Sequence, residues 1–192
     1  MKILIACESS GVVRRAFRSL GHDAWSCDIL PADDEDSHHF QCDVRIMLGH
    51  SWDMMIAHPP CTHLAASGAR WFKDKKQEQE ESLSFVQLLL EAKIERVALE
   101  NPIGIISSRI RKPDQIIQPW MFGHPESKKT CLWLKGLPLL KPTNVLELPD
   151  RGYWDNQTPS GQNKLGPSAD RWKIRSKTYE GIAMAMASQW GK

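Results

Sequence analysis

The chain has 192 residues, the length of one domain, and can bury about two-thirds of the surface that its unfolded form exposes. Hydrophobic residues make up 41% and charged residues 25%, with a formal net charge of only +2, so any nucleic-acid contact must rest on local patches rather than on global charge. Five scattered cysteines (7, 27, 42, 61 and 131) argue against a disulfide framework and for a reducing, cytoplasmic compartment, and no apolar stretch is long enough to span a membrane.

The first apolar run, "KILIAC" (2–7), has too short an apolar core for a signal peptide and reads as a buried first strand. It ends in "ESSG", and "VVRRAFRSLG" then places Val12, Val13, Ala16, Phe17 and Leu20 at helical spacing, closed by Gly21. "DAWSCDI" is a second strand ending at Asp28, and "PADDEDSHH" reads as a solvated acidic connection. "QCDVRIML" carries Asp43, and "WDMMIA" is a strand that runs into "HPPCTHL". The longest helix is predicted over 73–94, polar first and with an apolar stripe from Leu83 onward. "RVALENP" is a further buried strand, "KKTCLWLKG" a late one, and 138–172 is rich in Pro, Gly, Asn and Asp and reads mostly as loop. "TYEGIAMAMASQW" closes the chain as a helix. Strands alternating with helices predict an α/β fold with a mostly parallel sheet, whose ligands gather at the carboxyl ends of the strands.

Four groups of residues fall at such ends or carry their own signal. The turn Glu8, Ser9, Ser10, Gly11 lets a helix N-terminus approach a nucleotide-like ligand, although it is not a full G-x-G-x-x-G and also suits a plain turn. Asp28 is placed to accept bonds from ribose hydroxyls and Asp43 from an adenine amino group; the alternative for both is a turn or helix-cap acid. Cys61, behind two prolines that rigidify its loop, reads as a nucleophile, an inert buried thiol, or a metal ligand with His58 and His63; the absence of any C-x-x-C pair disfavours the metal. Glu100 in "ENP" is expected to emerge into the same crevice, partly buried and with a raised pKa. Cations are interleaved with aromatics at Arg70–Lys76, Arg109–Lys112, Lys128–Lys129 and Arg171–Tyr179, which suits phosphate contact and stacking but also a solvated face. Six of the eight tryptophans lie in the C-terminal two-thirds, to meet bases or to fill core.

The order of these motifs — a glycine-containing first turn, an acid after strand two, "CDV", "PPC", "ENP", a basic strand — resembles that of the DNA cytosine-5 methyltransferases, most closely the small members carried by phages and prophages. The resemblance covers roughly residues 2–136 and, more weakly, the terminal helix. It implies a Rossmann-like S-adenosylmethionine-dependent methyltransferase fold with a catalytic core over 1–137, a short loop-rich insert over 138–176 in place of a target-recognition domain, and a C-terminal helix over 177–192 packing back on the core. It implies catalytic roles for Cys61, Glu100 and Lys128, and cofactor contacts from Glu8, Ser9, Ser10, Gly11, Asp28, Ile29, Asp43, Val44, His58 and Pro59. Nucleic-acid contacts are implied for Arg70, Lys128, Lys129, Arg171, Lys173 and Arg175. The partner is DNA, duplex or single-stranded, or a cytosine nucleotide, with a protein partner supplying target recognition, in a bacterial host's cytoplasm if the chain is phage-encoded. Lys128 falls where the family has an arginine that helps hold the base, Thr130 falls near a second arginine, and Thr62 stands where a glutamine usually follows the cysteine. Two alternatives are an exocyclic amino methyltransferase, of whose D/N/S-P-P-Y/F loop "HPPC" is a distorted form, and a non-catalytic nucleic-acid-binding protein that keeps the fold.

Overall fold

A computed structural model describes residues 1–66, 75–168 and 170–192. Seven strands, β1 (Lys2–Ala6), β2 (Asp23–Asp28), β3 (His39–Gln41), β4 (Met54–Ala57), β5 (Arg96–Pro102), β6 (Gln115–Ile117) and β7 (Thr130–Lys135), form one sheet in the order β3-β2-β1-β4-β5-β7-β6. β1 to β5 are parallel; β7 runs antiparallel to β5, and β6 antiparallel to β7. The strand order reverses between β1 and β4, and in a doubly wound sheet that is the switch point where a crevice opens beyond the carboxyl ends.

The central strands read as continuous apolar runs because both faces are covered. Ile3, Ile5, Met54 and Ile56 face one layer, with Val13 and Phe17 of α1 (Val12–Ser19) and Ile182, Met186 and Trp190 of α6 (Glu180–Trp190). Leu4, Ala6, Met55 and Ala57 face the other, with Met47 of α2 (Val44–Met47) and Leu83, Val86 and Leu89 of α3 (Lys76–Leu90). The period-2 alternation along each strand sends successive side chains to opposite layers. Two short helices, α4 (Ile106–Arg109) and α5 (Arg171–Ser176), and a single 3-10 turn (Pro119–Met121) complete the described elements; α5 begins where the stretch expected to be mostly loop ends. Trp52, Trp133, Trp154 and Trp190 are buried, so among the described tryptophans packing accounts for most of these rings.

The acidic stretch after β2 is exposed at Asp33, Asp34 and Glu35, as its composition suggests, but it is also tied to the core. Arg14 on α1 is fully buried; it donates to Ser26 Oγ at 2.7 Å and to both Asp34 oxygens at 2.7 and 2.6 Å, while Arg15 also reaches Asp34. A guanidinium removed from water needs such fork-shaped partners. The two arginines hold the Asp34 carboxyl below its usual range against the opposing effect of burial. The loop is thereby folded over the first turn, where the Asp33 amide donates to Ser9 O at 2.8 Å.

Candidate active site

The chemistry-bearing residues stand in a row because each follows a parallel strand. Asp43 comes just after β3, Asp28 ends β2, Glu8 follows β1, His58–Cys61 follow β4, and Glu100 lies near the end of β5. The β1/β4 switch divides them into a half with the first turn and two acids and a half with Cys61 and Glu100.

Three links join the cysteine loop to the end of β5. Asn101 Nδ2 donates to Pro59 O at 2.8 Å, Ala66 N to Ile103 O at 2.9 Å, and Ile105 N to Leu64 O at 2.9 Å. The chains approach so closely at Gly104 that a Cβ there would fall on the Leu64 carbonyl, with its carbon 2.8 Å away. Proline supplies no donor at 59 or 60, so the loop's own bonds begin at Cys61, whose carbonyl accepts from Leu64 N at 3.0 Å and Ala65 N at 2.9 Å. Cys61 is consequently exposed on a braced turn, and it is the one exposed cysteine of the five.

Glu100 departs from expectation. Its carboxyl is held down at about 2 rather than raised: burial pushes it up, but the His58 bond and charge, then Lys128 and the Thr178 hydroxyl, outweigh that. His58 Nδ1 donates to Glu100 Oε2 at 2.8 Å, and the Thr178 hydroxyl donates to the same oxygen at 3.3 Å. Burial alone would lower the His58 pKa, yet Glu100 and, further off, Glu8 raise it above its usual value. The carboxyl is therefore an ionised acceptor and not a proton donor.

The Cys61 thiol is pushed above the usual 9.0 by loss of water, with Lys128, a backbone amide and Arg175 pulling it down and Glu100 pushing it up. Below its pKa the thiolate fraction rises tenfold per pH unit. Iodoacetamide should accordingly label Cys61 about ten times faster for each unit between about pH 7 and about 9. Lys128→Met removes a stabilising charge, raises the thiol pKa further and should slow labelling at any fixed pH, as peptide mass mapping would show; equal rates in the variant would remove Lys128 from the thiol's surroundings.

The remaining candidates are placed as follows. The Glu8 carboxylate is committed to α1, accepting from Val13 N at 2.7 Å, Arg14 N at 3.3 Å and the Ser10 hydroxyl at 3.2 Å, and Gly11 adopts φ +67 at the helix start. Asp28 Oδ1 takes Leu30 N at 2.9 Å, Ile29 beside it is 72% exposed, and Val44 is buried. Asp43 caps α2, both of its oxygens engaged by Arg45 at 2.9 and 2.7 Å, which is the helix-cap alternative. Pro59 is buried, and His58 Nε2 and His63 Nδ1 are buried without a partner among the described residues. Arg70, with Trp71 and Lys73, lies outside the described residues. Among the described residues no His, Cys, Asp and Glu group of three or more is arranged for a metal, and no helix is long and apolar enough to cross a membrane.

The basic residues are less free than their pattern suggests. Lys128 Nζ donates to the carbonyls of Arg175 at 2.7 Å and Lys177 at 3.4 Å. Lys173, expected on nucleic acid, pairs with Asp33 at 2.7 Å, with Lys177 at 3.7 Å from the same carboxylate. Arg171 reaches the Leu165 carbonyl, while Lys129 and Arg175 remain exposed. Residues 171–178 thus form a strap that touches the acidic loop, Lys128 and Glu100 together. Thr178 and Asn101 carry no motif of their own; only adjacency to Glu100 in "ENP" signalled Asn101, and nothing local signalled Thr178.

A strand order with this reversal, acids at the ends of the first strands and an exposed thiol beyond the fourth define a Rossmann-like α/β domain of the kind found in methyltransferases. The chain shares its fold with a DNA modification methyltransferase encoded within an E. coli prophage (18% identity, TM-score 0.50, 76% of this chain and 52% of that one). It also shares it with the Entamoeba histolytica methyltransferase EhMeth (15% identity, TM-score 0.54, 75% of this chain and 57% of that one). The chain spans about half the length of these structures. No family model matches it, and no curated protein does.

Proposed function

We propose that the chain is an S-adenosylmethionine-dependent methyltransferase acting on carbon 5 of cytosine in DNA. The observation that carries this reading is the exposed Cys61 thiol braced beside the ionised Glu100 carboxylate on adjoining strand ends. Carbon 5 of cytosine is a weak nucleophile. Addition of the Cys61 thiolate at carbon 6 pushes the ring's electrons toward nitrogen 3, which takes a proton from water to give the enamine. The ionised Glu100 carboxylate accepts hydrogen bonds from that N–H and from the exocyclic amine, and it stabilises the positive charge that appears there when carbon 5 is alkylated. Once carbon 5 carries the methyl group, loss of its proton and of the nitrogen 3 proton to water, with departure of the thiolate, restores the aromatic ring and the free enzyme. A duplex target must first be flipped out of its stack.

The cofactor supplies a methyl group on a positively charged sulfur. The residues at these strand ends fit it. His58 Nε2 and the second oxygen of Asp28, neither bonded to a described residue, stand with exposed Ile29 and the left-handed turn at Gly11 beyond the ends of β1, β2 and β4. In this reading Ser9, Ser10, Val44 and Pro59 shape that half of the crevice; the Glu8 and Asp43 carboxylates serve by fixing α1 and α2. Lys128 and Arg175, whose charges act on the Cys61 thiol, would meet phosphates together with Lys129 and Arg171 on the same segments, and the loop-rich 138–176 segment would take the place of a recognition domain.

The test is product identity. Duplex DNA, single-stranded DNA and cytosine nucleotides are incubated with labelled cofactor and digested to nucleosides for mass spectrometry. We expect 5-methylcytosine; a base methylated on its exocyclic amine would replace this mechanism with amino methylation, and cofactor uptake with no product would point to a binding protein.

A further inference from the structure

We infer that His58 is a positioning residue that grips Glu100 by Oε2 and turns its other oxygen, Oε1, toward the substrate. The inference rests on the reading of the site just given and adds a part to it. His58 Nδ1 and the Thr178 hydroxyl both donate to Oε2, at 2.8 and 3.3 Å, and no described residue donates to Oε1. The side chains of His58 and Glu100 are 12% and 11% exposed, so water competes little for the bond. Neither partner can swing away. The His58 amide donates to Ala6 O at 2.9 Å at the end of β1, and the next residue, Pro59, is tied by its carbonyl to Asn101, the neighbour of Glu100.

The charged groups around the imidazole are Glu100 from β5, Glu8 from the turn after β1 and Lys128 ahead of β7. The two carboxylates favour the imidazolium and Lys128 opposes it. Removing the ring leaves burial, which pushes the Glu100 carboxyl up, opposed only by Lys128 and Thr178. Placement of the open oxygen matters because a displacement of about 1 Å in a catalytic group costs on the order of 100-fold in rate.

The test uses two variants, His58→Ala and His58→Asn, on the full chain. The asparagine Nδ2 lies where imidazole Nδ1 lies, so it keeps a donor to Oε2 and cannot be charged. The first readout needs no activity: carbon-13 NMR titration of the Glu100 carboxyl, assigned with Glu100→Gln. We expect a midpoint of about 2 in the natural chain, displaced toward or beyond the usual 4.5 in His58→Ala, with His58→Asn between them. The second is kinetic: His58→Ala should lose about 100-fold in kcat, with His58→Asn recovering about tenfold of it. An unmoved midpoint in His58→Ala, or a kcat within about twofold of the natural chain's, overturns the inference. A displaced midpoint in a chain that methylates no cytosine substrate retires the methyltransferase reading and leaves the grip of His58 on Glu100 standing.

Discussion

Cys61→Ala is expected to lower cytosine methylation by on the order of 10⁴-fold or more, because without the sulfur nothing adds to carbon 6 and carbon 5 stays unreactive. Cys61 is exposed and its side chain braces nothing, so the unfolding midpoint should not move. Cofactor affinity, measured by calorimetry, should also hold, since the thiol lies on the far side of the β1/β4 switch from Asp28 and the first turn. Glu100→Gln keeps the shape of the side chain but removes its charge, and a loss of about 10²–10³-fold is expected, the size found for one removed electrostatic contact to a reacting group. DNA carrying 5-fluorocytosine has no carbon 5 proton to lose and should trap a covalent adduct at Cys61 in the natural chain alone. Methyl transfer that survived in Cys61→Ala would end the covalent mechanism.

The largest effect on stability is expected at Gly104. Its contacts are backbone, the Leu64 carbonyl and the Ala65 Cα at 3.0 Å, so an added methyl cannot be accommodated by turning a side chain. Gly104→Ala must part the cysteine loop from the end of β5, breaking the Ile105 N to Leu64 O and Ala66 N to Ile103 O bonds. We expect a cost of about 3 kcal/mol and, for a chain of this size, a fall in Tm of roughly 6–12 °C. Activity should fall further than stability alone requires, because the bridge that fails is the one that sets Cys61 against Glu100. Gly166→Ala is the control: nothing lies within 4 Å of its added Cβ, and a change within about 0.5 kcal/mol is expected there. A Gly104→Ala protein that melts with the control would show that the close approach is relaxed in solution.

Both expectations depend on how the site is assembled, and its parts were unevenly legible. The apolar runs at 3–6, 54–57 and 97–99 announced the central strands because a strand buried on both faces has little room for polar residues. β3 and β6, three residues each, and α4, four residues, were missed, since elements so short carry no periodicity of their own. The acidic loop is exposed as its composition suggests, but its tie to the core was illegible for a different reason. Its partner Arg14 sits 20 residues earlier, on the inward face of a helix, where a cation looks out of place until a carboxylate is folded over it.

What the amino-acid order alone determined is the α/β alternation and the delivery of acids, thiol and prolines to the strand ends. Those follow from local properties, the spacing of apolar residues and the turn preferences of Gly, Pro and Asp. Tertiary structure alone decided the antiparallel β7 and β6, the strap over the crevice and the ionisation of Glu100. The last of these reverses the sign expected from burial. The groups responsible are His58, 42 residues away, then Lys128, and Thr178, 78 residues away. A carboxyl's pKa reports the whole field around it, and that field exists only once distant segments have met.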